Sequence, residues 1–531
     1  MVASRQNPTL ALIDELLAEQ GRLQTPVARF ASAHDSGSVA QLSALNSQLI
    51  PLTKPQPGEQ YAFEVELDSC TGCKACVSAC HSLNGLDDTE TWRDVGLLFS
   101  DNRHHPFSQT VTTACHHCAD PACLNGCPVL AYEKDPLTGI VRHLDDQCIG
   151  CSYCILKCPY DVPKFNARLG IVRKCDMCHG RLAHGEAPAC AQACPTHAIK
   201  IVTVSVTRSG SQLPTVSSQL PSTFLPTAPD PAYTQPTTRY ISKRPLPPNL
   251  ISADHATLRP QAPHWPLVAL LTLMPMAVGC GIADKALSLP TSTLAIAGWA
   301  AGAAGLALSV LHLGQPLRAW RVFLGWRQSW LSREAIVFGA WFPLATTYAA
   351  MRAGWIPDGP DALRPSLAIA TATLGILGLY CSVMVYVDTR RAFWRFANTA
   401  PRFFGTAVVL GLAGAMAMPD APRSLGLALA LATMAKLAFE SRALAALNGD
   451  RNEITAELKT AQLLTGPLRG ASELRAFAAA GAVICALAVA LQLAPAGCAW
   501  IALLCSLLGE LTERSLFFRA VDAPKMPGVG A

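Results

Sequence analysis

The pattern of apolar and polar positions changes about halfway along the 531-residue chain. In residues 61–205, short runs such as FEVEL, GIVRHL and AIKIVTV alternate apolar and polar residues, which predicts short strands separated by loops. From residue 263 onward the apolar runs become much longer. A membrane helix needs about 20 largely apolar residues, so these runs predict membrane spans. The two parts of the chain therefore suit different solvents.

The apolar part contains eight candidate membrane spans. They lie at about residues 264–283, 291–312, 334–351, 366–387, 403–418, 424–439, 476–494 and 497–512. An even number of spans places both ends of the chain on the same side of the bilayer. The loops on that side and the tail carry sixteen Lys and Arg residues, against four on the other side. The positive-inside rule then predicts that the N-terminal part faces the cytoplasm, at the inner membrane.

The remaining segments carry weaker signals. Residues 1–60 begin with apolar residues at helical spacing, which predicts an amphipathic helix, and residues 206–262 are rich in Pro, Ser and Thr, which is typical of a linker or a surface strap. The N-terminus shows neither a Sec nor a twin-Arg signal, so we expect the thiols to lie in a reducing compartment. The net charge of +5 is modest, and no basic run with interleaved aromatics supports nucleic-acid binding.

Sixteen of the 21 cysteines form four quartets in the first part of the chain. The quartets are Cys70, Cys73, Cys76 and Cys80; Cys115, Cys118, Cys123 and Cys127; Cys148, Cys151, Cys154 and Cys158; and Cys175, Cys178, Cys190 and Cys194. Spacings of two, two and three residues let one loop place three thiolates around a cubane while the fourth Cys reaches a different cluster. Four quartets therefore predict four [4Fe–4S] clusters, with all sixteen Cys as iron ligands.

Two other uses of these thiols are weighed against iron. Cys-x2-Cys pairs also build structural zinc sites, although runs of three Cys followed by Cys-Pro fit the two-cluster ferredoxin pattern better. A reducing compartment disfavours a disulfide framework. The neighbouring His116, His117 and His179 could replace a ligand, but the quartets are complete, so we expect these rings to line the cluster pockets.

The four-quartet part resembles the iron–sulfur subunits of complex iron–sulfur molybdoenzymes, the family of dimethyl sulfoxide reductase, respiratory nitrate reductase and membrane formate dehydrogenase. In that family the first quartet exchanges its last Cys with the fourth, and the second with the third. The resemblance implies the sets Cys70, Cys73, Cys76 and Cys194; Cys175, Cys178, Cys190 and Cys80; Cys115, Cys118, Cys123 and Cys158; and Cys148, Cys151, Cys154 and Cys127.

The stretch LHLGQPLRAWRVFLGWRQSWLSREA, at residues 311–335, resembles the anchor subunit of dimethyl sulfoxide reductase. Helix alternation places His312, which ends one span, and Glu334, which begins the next, at the membrane face nearest the clusters. The resemblance implies that these two residues exchange protons with a quinone. Taken alone, His312 could cap a helix carbonyl, and Glu334 could pair with the helix dipole or with Arg333.

The expected architecture is an α+β ferredoxin-like multi-cluster domain followed by an all-α transmembrane bundle of eight spans. Its segments are an N-terminal extension (1–60), the cluster domain (61–205), a linker (206–262), the membrane anchor (263–520) and a tail (521–531). No haem is expected, because residues 263–531 contain only His264 and His312. The five remaining cysteines are interpreted as small buried apolar residues.

The expected function is electron transfer between a separate molybdopterin-containing catalytic subunit and the quinone pool. Resemblance to sulfite-oxidising membrane complexes favours quinone reduction; the rivals are quinol oxidation in an S- or N-oxide reductase and a role in formate oxidation. A hypothesis of another class is a non-catalytic anchor and assembly scaffold. A transporter is less well supported, because the sequence shows no matching pair of broken helices.

Overall fold

The computed structural model describes residues 48–100, 106–206, 224–288, 290–357, 363–419, 421–449 and 454–529, together with a few isolated positions. The amphipathic helix expected near the N-terminus and the first part of the segment 206–262 lie outside the described residues. The chain folds into a loop-rich α+β part and an all-helical part, as the sequence predicts.

As far as the structure describes it, the α+β part contains two three-stranded sheets and two hairpins. Strand β1 (Glu59–Glu66) pairs antiparallel with β8 (Ile199–Ser205), so the two ends of the Cys-rich region lie side by side. Strand β2 (Asp94–Ser100) pairs antiparallel with β3 (Ser108–Thr113). The hairpins are formed by β4 (Tyr132–Lys134) with β5 (Val141–His143), and by β6 (Lys164–Asn166) with β7 (Ile171–Arg173).

Part of the Pro-rich segment belongs to these sheets. Strand β9 (Arg239–Ile241) pairs in parallel with β1, and β10 (Leu250–Ser252) pairs antiparallel with β2. Tyr240 of β9 is fully buried because it packs in the same core as Phe63 and Val65, the buried apolar side chains of β1. The described end of the segment thus adds one edge strand to each three-stranded sheet before the chain enters the membrane part.

Five short helices lie in the α+β part, most of them next to a Cys group. They are α1 (Ala75–Asn84), α2 (Ala122–Asn125), α3 (Tyr153–Lys157), α4 (His179–Ala183) and α5 (Ala189–Gln192). Within its described residues, the helical part contains eight long helices and one shorter helix, α12 (Ala456–Thr465). The long helices are α6 (Trp265–Leu287), α7 (Thr293–Leu311), α8 (Trp330–Arg352), α9 (Leu363–Val387), α10 (Phe396–Met416), α11 (Ser424–Glu440), α13 (Arg469–Ala490) and α14 (Cys498–Arg519).

Each predicted span coincides with one of these eight helices. Six of them are long and apolar enough to cross a membrane by length and composition. The other two, α8 and α14, include charged side chains such as Glu334 and Glu510. The structure therefore confirms a helical membrane part, and a count of eight spans stays a prediction.

Candidate functional site

The four Cys loops share one backbone feature. The residue two positions after the first Cys of each quartet has a positive φ: Gly72 (73°), His117 (41°), Gly150 (70°) and Met177 (59°). A left-handed residue there curls the loop, so that successive backbone N–H groups can point toward one centre. The local Cys spacing and this turn together bring the thiols of a loop to the same side.

Backbone N–H groups donate to the sulfur of several of these cysteines. The donor–acceptor pairs are Ala131 N to Cys127 Sγ (3.2 Å), Gly150 N to Cys148 Sγ (3.3 Å), Met177 N to Cys175 Sγ (3.4 Å) and Ala198 N to Cys194 Sγ (3.3 Å). Hydrogen bonds of this kind stabilise negative charge on sulfur, which a metal-bound thiolate carries.

The fold brings together thiols from distant quartets. Cys70, Cys73, Cys76 and Cys194 line one small cavity, so the last Cys of the fourth quartet joins the first three of the first quartet. In the opposite direction, burial raises the pKa of Cys80 to about 12, and the adjacent thiol of Cys190 contributes to the rise. Both contacts agree with the exchange of the last Cys between the first and fourth quartets.

The second and third quartets approach each other in the same way. Burial raises the pKa of Cys123, with Cys158 and Cys115 among the neighbouring thiols that add to the shift. Burial likewise raises the pKa of Cys151, and the neighbouring thiol of Cys127 adds to the rise. A buried thiol with a raised pKa loses its proton readily only when a metal takes the proton's place.

These surroundings fit iron–sulfur clusters. Within the described residues, no three His, Cys, Asp or Glu side chains are placed to share a single metal ion, as a mononuclear zinc site would require. Arg93 is buried beside the thiols of Cys190 and Cys76, and its Nε and Nη2 atoms have no hydrogen-bond partner in the described part of the chain. An anionic cluster between these thiols would compensate that charge.

His312 and Glu334 lie in the wall of one cavity of about 390 Å³, between α6, α7, α8 and α9. Most of the lining is apolar, from Leu270 and Phe338 among others. Glu334 accepts a hydrogen bond from the Oγ of Ser382, and the Nδ1 of His312 is buried without a partner in the described chain. The cavity thus combines an apolar wall with one acid and one unpaired imidazole nitrogen.

The same cavity reaches the third Cys loop. Cys151 and Tyr153 form part of its wall, and the Tyr153 hydroxyl donates to the carbonyl of Val385 in α9 (2.9 Å). One side of the cavity therefore belongs to the Cys-rich part, and the other sides belong to the membrane helices.

Glycines allow the two parts to meet this closely. A Cβ at Gly314, in the loop after α7, would lie 2.1 Å from the carbonyl oxygen of Gly170, and a Cβ at Gly150 would lie 2.3 Å from the same atom. Gly325 approaches the carbonyl oxygen of Pro128 in the same way, and its N–H donates to that oxygen (2.8 Å). No side chain fits at these contacts without a backbone shift.

The loop between α7 and α8 also binds the third quartet through arginines. Arg318 donates to the carbonyls of Asp145 and Cys148 (both 3.2 Å), and Arg321 donates to that of Asp146 (3.0 Å). From the sequence, these arginines could contact lipid headgroups or simply follow the positive-inside rule, and the second interpretation is favoured. No local signal identifies their partners, because the carbonyls lie more than 160 residues earlier in the chain.

A second cavity, of about 530 Å³, lies at the corresponding end of α10, α11, α13 and α14. Beside it is a buried ion network, formed by Arg402, Lys436, Glu440, Arg475, Glu510, Glu513 and Arg514. The sequence pattern places Arg402, Arg475 and Arg514 in the loops and the tail, but all three are buried within helices. Because these arginines lie near the ends of apolar runs, the sequence pattern did not indicate that they belong to a buried ion network.

Two family models match the chain. One described as "4Fe-4S dicluster domain" matches residues 107–204, and one described as "DMSO reductase anchor subunit (DmsC)" matches residues 292–519. The first match covers the second to fourth Cys quartets, and the second covers α7 to α14.

Curated relatives include subunits of dimethyl sulfoxide reductases and of a formate dehydrogenase. The probable anaerobic dimethyl sulfoxide reductase subunit YnfG of Escherichia coli is 38% identical over 149 residues, which cover 27% of this chain and 72% of the relative. The B subunit of the anaerobic dimethyl sulfoxide reductase of Haemophilus influenzae is 36% identical over 160 residues, covering 28% and 78%. The formate dehydrogenase-O iron–sulfur subunit of Escherichia coli is 35% identical over 185 residues, covering 32% and 61%.

Proposed function

This protein belongs to the family of iron–sulfur subunits of anaerobic dimethyl sulfoxide reductases, and from this premise we propose that it passes electrons between a separate molybdopterin-containing subunit and quinone. It is a fusion of an iron–sulfur electron-transfer region with a membrane anchor of the DmsC type. The proposal adds four [4Fe–4S] clusters, a quinone site at His312 and Glu334, and the division into residues 61–205 and 263–520.

One observation carries the quinone site. His312 and Glu334 line the same apolar cavity as Cys151, a proposed iron ligand. A quinone bound there would lie between a proton-exchanging pair and the end of the electron path. The conversion between quinone and quinol moves two electrons and two protons. A site that adjoins both an electron donor and a pair of proton-exchanging side chains therefore supports the reaction.

The roles of the residues follow from their contacts. The apolar wall, with Leu270 and Phe338, would hold the quinone ring and exclude water. The unpaired Nδ1 of His312, when protonated, can donate a hydrogen bond to a quinone oxygen. Glu334, held by Ser382, would exchange the second proton. The sixteen Cys would hold the clusters, which supply one-electron steps when bound.

We propose quinone reduction with electrons from a sulfite-type substrate, and an inner-membrane location with the Cys-rich part facing the cytoplasm. The positive loops of the sequence support this orientation. A second candidate direction is quinol oxidation, because relatives matched over most of their length are named as dimethyl sulfoxide reductase subunits. The formate dehydrogenase subunit is matched over a smaller share of its length.

The test is electron paramagnetic resonance during a redox titration of the purified protein with its co-purifying partner. We expect about four reduced-cluster spins per polypeptide, in line with one cluster per quartet, and one signal shifted by a quinone-site inhibitor. His312→Ala and Glu334→Gln should abolish that shift. Glu473→Gln, at the wall of the second cavity, is the matched control and should retain it.

Unshifted signals in the unaltered protein would favour the anchor and assembly scaffold instead. The direction is decided by adding substrates to the same preparation without oxygen. Sulfite should reduce the clusters and then quinone if the first candidate is right, whereas quinol with dimethyl sulfoxide should turn over if the second is right.

A further inference from the structure

Two cations are buried inside the Cys-rich part. The side chains of Arg93 and Lys174 are each only 2% exposed. Among the described residues, neither forms an ion pair with a carboxylate, although an unpaired buried charge is costly. Their compensating negative charge must therefore come from another group.

Arg93 lies next to the Cys sets drawn from the first and fourth quartets. Its Nη1 donates to the hydroxyl of Thr112 (3.2 Å), and that hydroxyl lies 3.5 Å from the sulfur of Cys76. The guanidinium carbon sits 4.6 Å from the ring centre of Phe63, while Nε and Nη2 have no partner in the described chain. The sulfur atoms of Cys190 and Cys76 lie near this guanidinium.

Lys174 lies near thiols of the second and fourth quartets. Its Nζ donates to the carbonyl of Cys175 (2.8 Å) and to that of Val141, which holds the ammonium inside the fold. The thiols of Cys115 and Cys123 and the carboxylate of Asp176 also lie near this ammonium. The ammonium thus lies between the second-quartet thiols and Cys175.

We infer that Arg93 and Lys174 are fixed, buried positive charges that raise the reduction potentials of the neighbouring clusters. The inference rests on the proposed four-cluster arrangement. Each cluster takes up one electron, with no bond made or broken and no proton required. A fixed positive charge in a low-dielectric interior stabilises the added electron, so the reduced form is favoured.

Charge at the surface would do this poorly, because water and salt screen it. Arg173, the last residue of β7 and the neighbour of Lys174, provides the contrast. It pairs with Glu90 (3.2 Å) and stacks on Trp92, so its charge is compensated by a carboxylate. Arg173 should therefore contribute little to the potential of any cluster.

The test compares Arg93→Gln and Lys174→Gln with the charge-conserving Arg93→Lys and Lys174→Arg, and with Arg173→Gln as matched control. Each full-length variant is purified with its partner, analysed for iron, and titrated by electron paramagnetic resonance. Each Gln variant should shift the reduced-to-oxidised ratio of its neighbouring clusters about tenfold toward oxidised, about 59 mV for a one-electron couple. The charge-conserving variants and Arg173→Gln should stay near the unaltered values.

Unchanged potentials in iron-replete Gln variants would overturn the inference, as would equal shifts in the Gln variants and the charge-conserving ones. Loss of iron from both Gln variants alone would assign these charges to cluster retention and overturn it as well. Fewer than four signals in the unaltered protein would instead contradict the proposed function, so the two failures are distinguishable.

Discussion

The two halves of the membrane part use similar helices for different purposes. Each half contains four long helices, α6–α9 and α10, α11, α13 and α14, and in each half a 3₁₀ segment follows the second helix: Pro316–Phe323 and Ser441–Asn448. Each has a cavity at the end nearest the Cys-rich part. The first cavity is mostly apolar with one His and one Glu, whereas the second borders a network of seven charged residues.

The difference shows how polar groups are used in a low-dielectric environment. In the second half, each residue of the network forms at least one ion pair, which holds the side chains in place. In the first half, His312 keeps a nitrogen without a partner in the described chain, and Glu334 accepts from one hydroxyl. An apolar cavity with few polar groups suits a ligand that enters and leaves, and a network of ion pairs suits structural stability.

The largest expected effect comes from opening the ion network. Lys436 pairs with Glu510 and lies 3.1 Å from Glu440. Lys436→Met would remove one of the two cations that pair with Glu510 and Glu440, leaving both carboxylates to Arg475 alone, and we expect a loss of about 3 kcal/mol in stability. Thermal unfolding of the detergent-solubilised protein measures it. Arg469→Met, which breaks an exposed pair with Glu473, should unfold like the unaltered protein; equal melting of both variants would contradict the structural role of the network.

The next effect concerns how the first half meets the Cys-rich part. Gly314→Ala would place a Cβ 2.1 Å from a backbone oxygen, so the loop must move away from the third quartet. A displacement of about 1 Å between reacting groups can slow a reaction on the order of a hundredfold, and we expect such a loss in quinol-dependent cluster reduction, measured by stopped flow. Gly470→Ala in α13 is the matched control, since no atom lies within 4 Å of the added Cβ. Wild-type rates in Gly314→Ala would show that this contact does not set the geometry.

A smaller effect should separate the two carboxylate environments. Ser382 donates to Glu334 in the first half, and Thr406 donates to Glu510 (2.6 Å) in the second. Ser382→Ala should slow the quinone reaction about tenfold with little change in melting temperature, because a hydrogen bond to a charged group contributes about 1.5 kcal/mol. Thr406→Val should do the reverse, lowering the melting temperature and leaving the rate unchanged. The comparison fails if both variants affect the same property.

The smallest effect concerns the tail that follows α14. Asp254 accepts from Lys525 (2.9 Å) and from the N–H of Gly528 (2.8 Å). Burial disfavours the ionised form of Asp254, but the hydrogen bond and charge of Lys525 outweigh it and lower the pKa of this carboxyl. The contact therefore stabilises the tail above about pH 4, and this contribution is lost as the pH falls through the lowered pKa.

Limited proteolysis of the tail at a series of pH values tests this contact. Asp254→Asn should give at neutral pH the cleavage that the unaltered protein shows only in acid, a difference of about 1 kcal/mol. Asp230→Asn, an exposed cap of a 3₁₀ turn, should cleave like the unaltered protein. A tail equally resistant in all three proteins would argue that other contacts hold it.

Local patterns predicted the Cys loops and the helices well, because Cys spacing and apolar runs are both short-range signals. The spacing of Cys148, Cys151 and Cys154 specifies a loop around one centre, and apolar runs specify helices wherever they occur. The pairing of Glu510 with Lys436 could not be predicted, because it depends on which faces of α11 and α14 meet. The contact of Gly314 with Gly170 is equally invisible to spacing, since each glycine alone resembles an ordinary loop residue.

The C-terminal tail joins the last part of the chain to one of the first strands. A Cβ at Gly96 in β2 would lie 2.0 Å from the carbonyl oxygen of Pro527, and Gly528 approaches the backbone of Leu97. During synthesis on the ribosome, β2 emerges long before its cover, which follows only after every helix of the anchor has been made. The contact between β2 and the tail can therefore form only after all helices of the anchor have been synthesised, although β2 can pair with β3 and β10 before then.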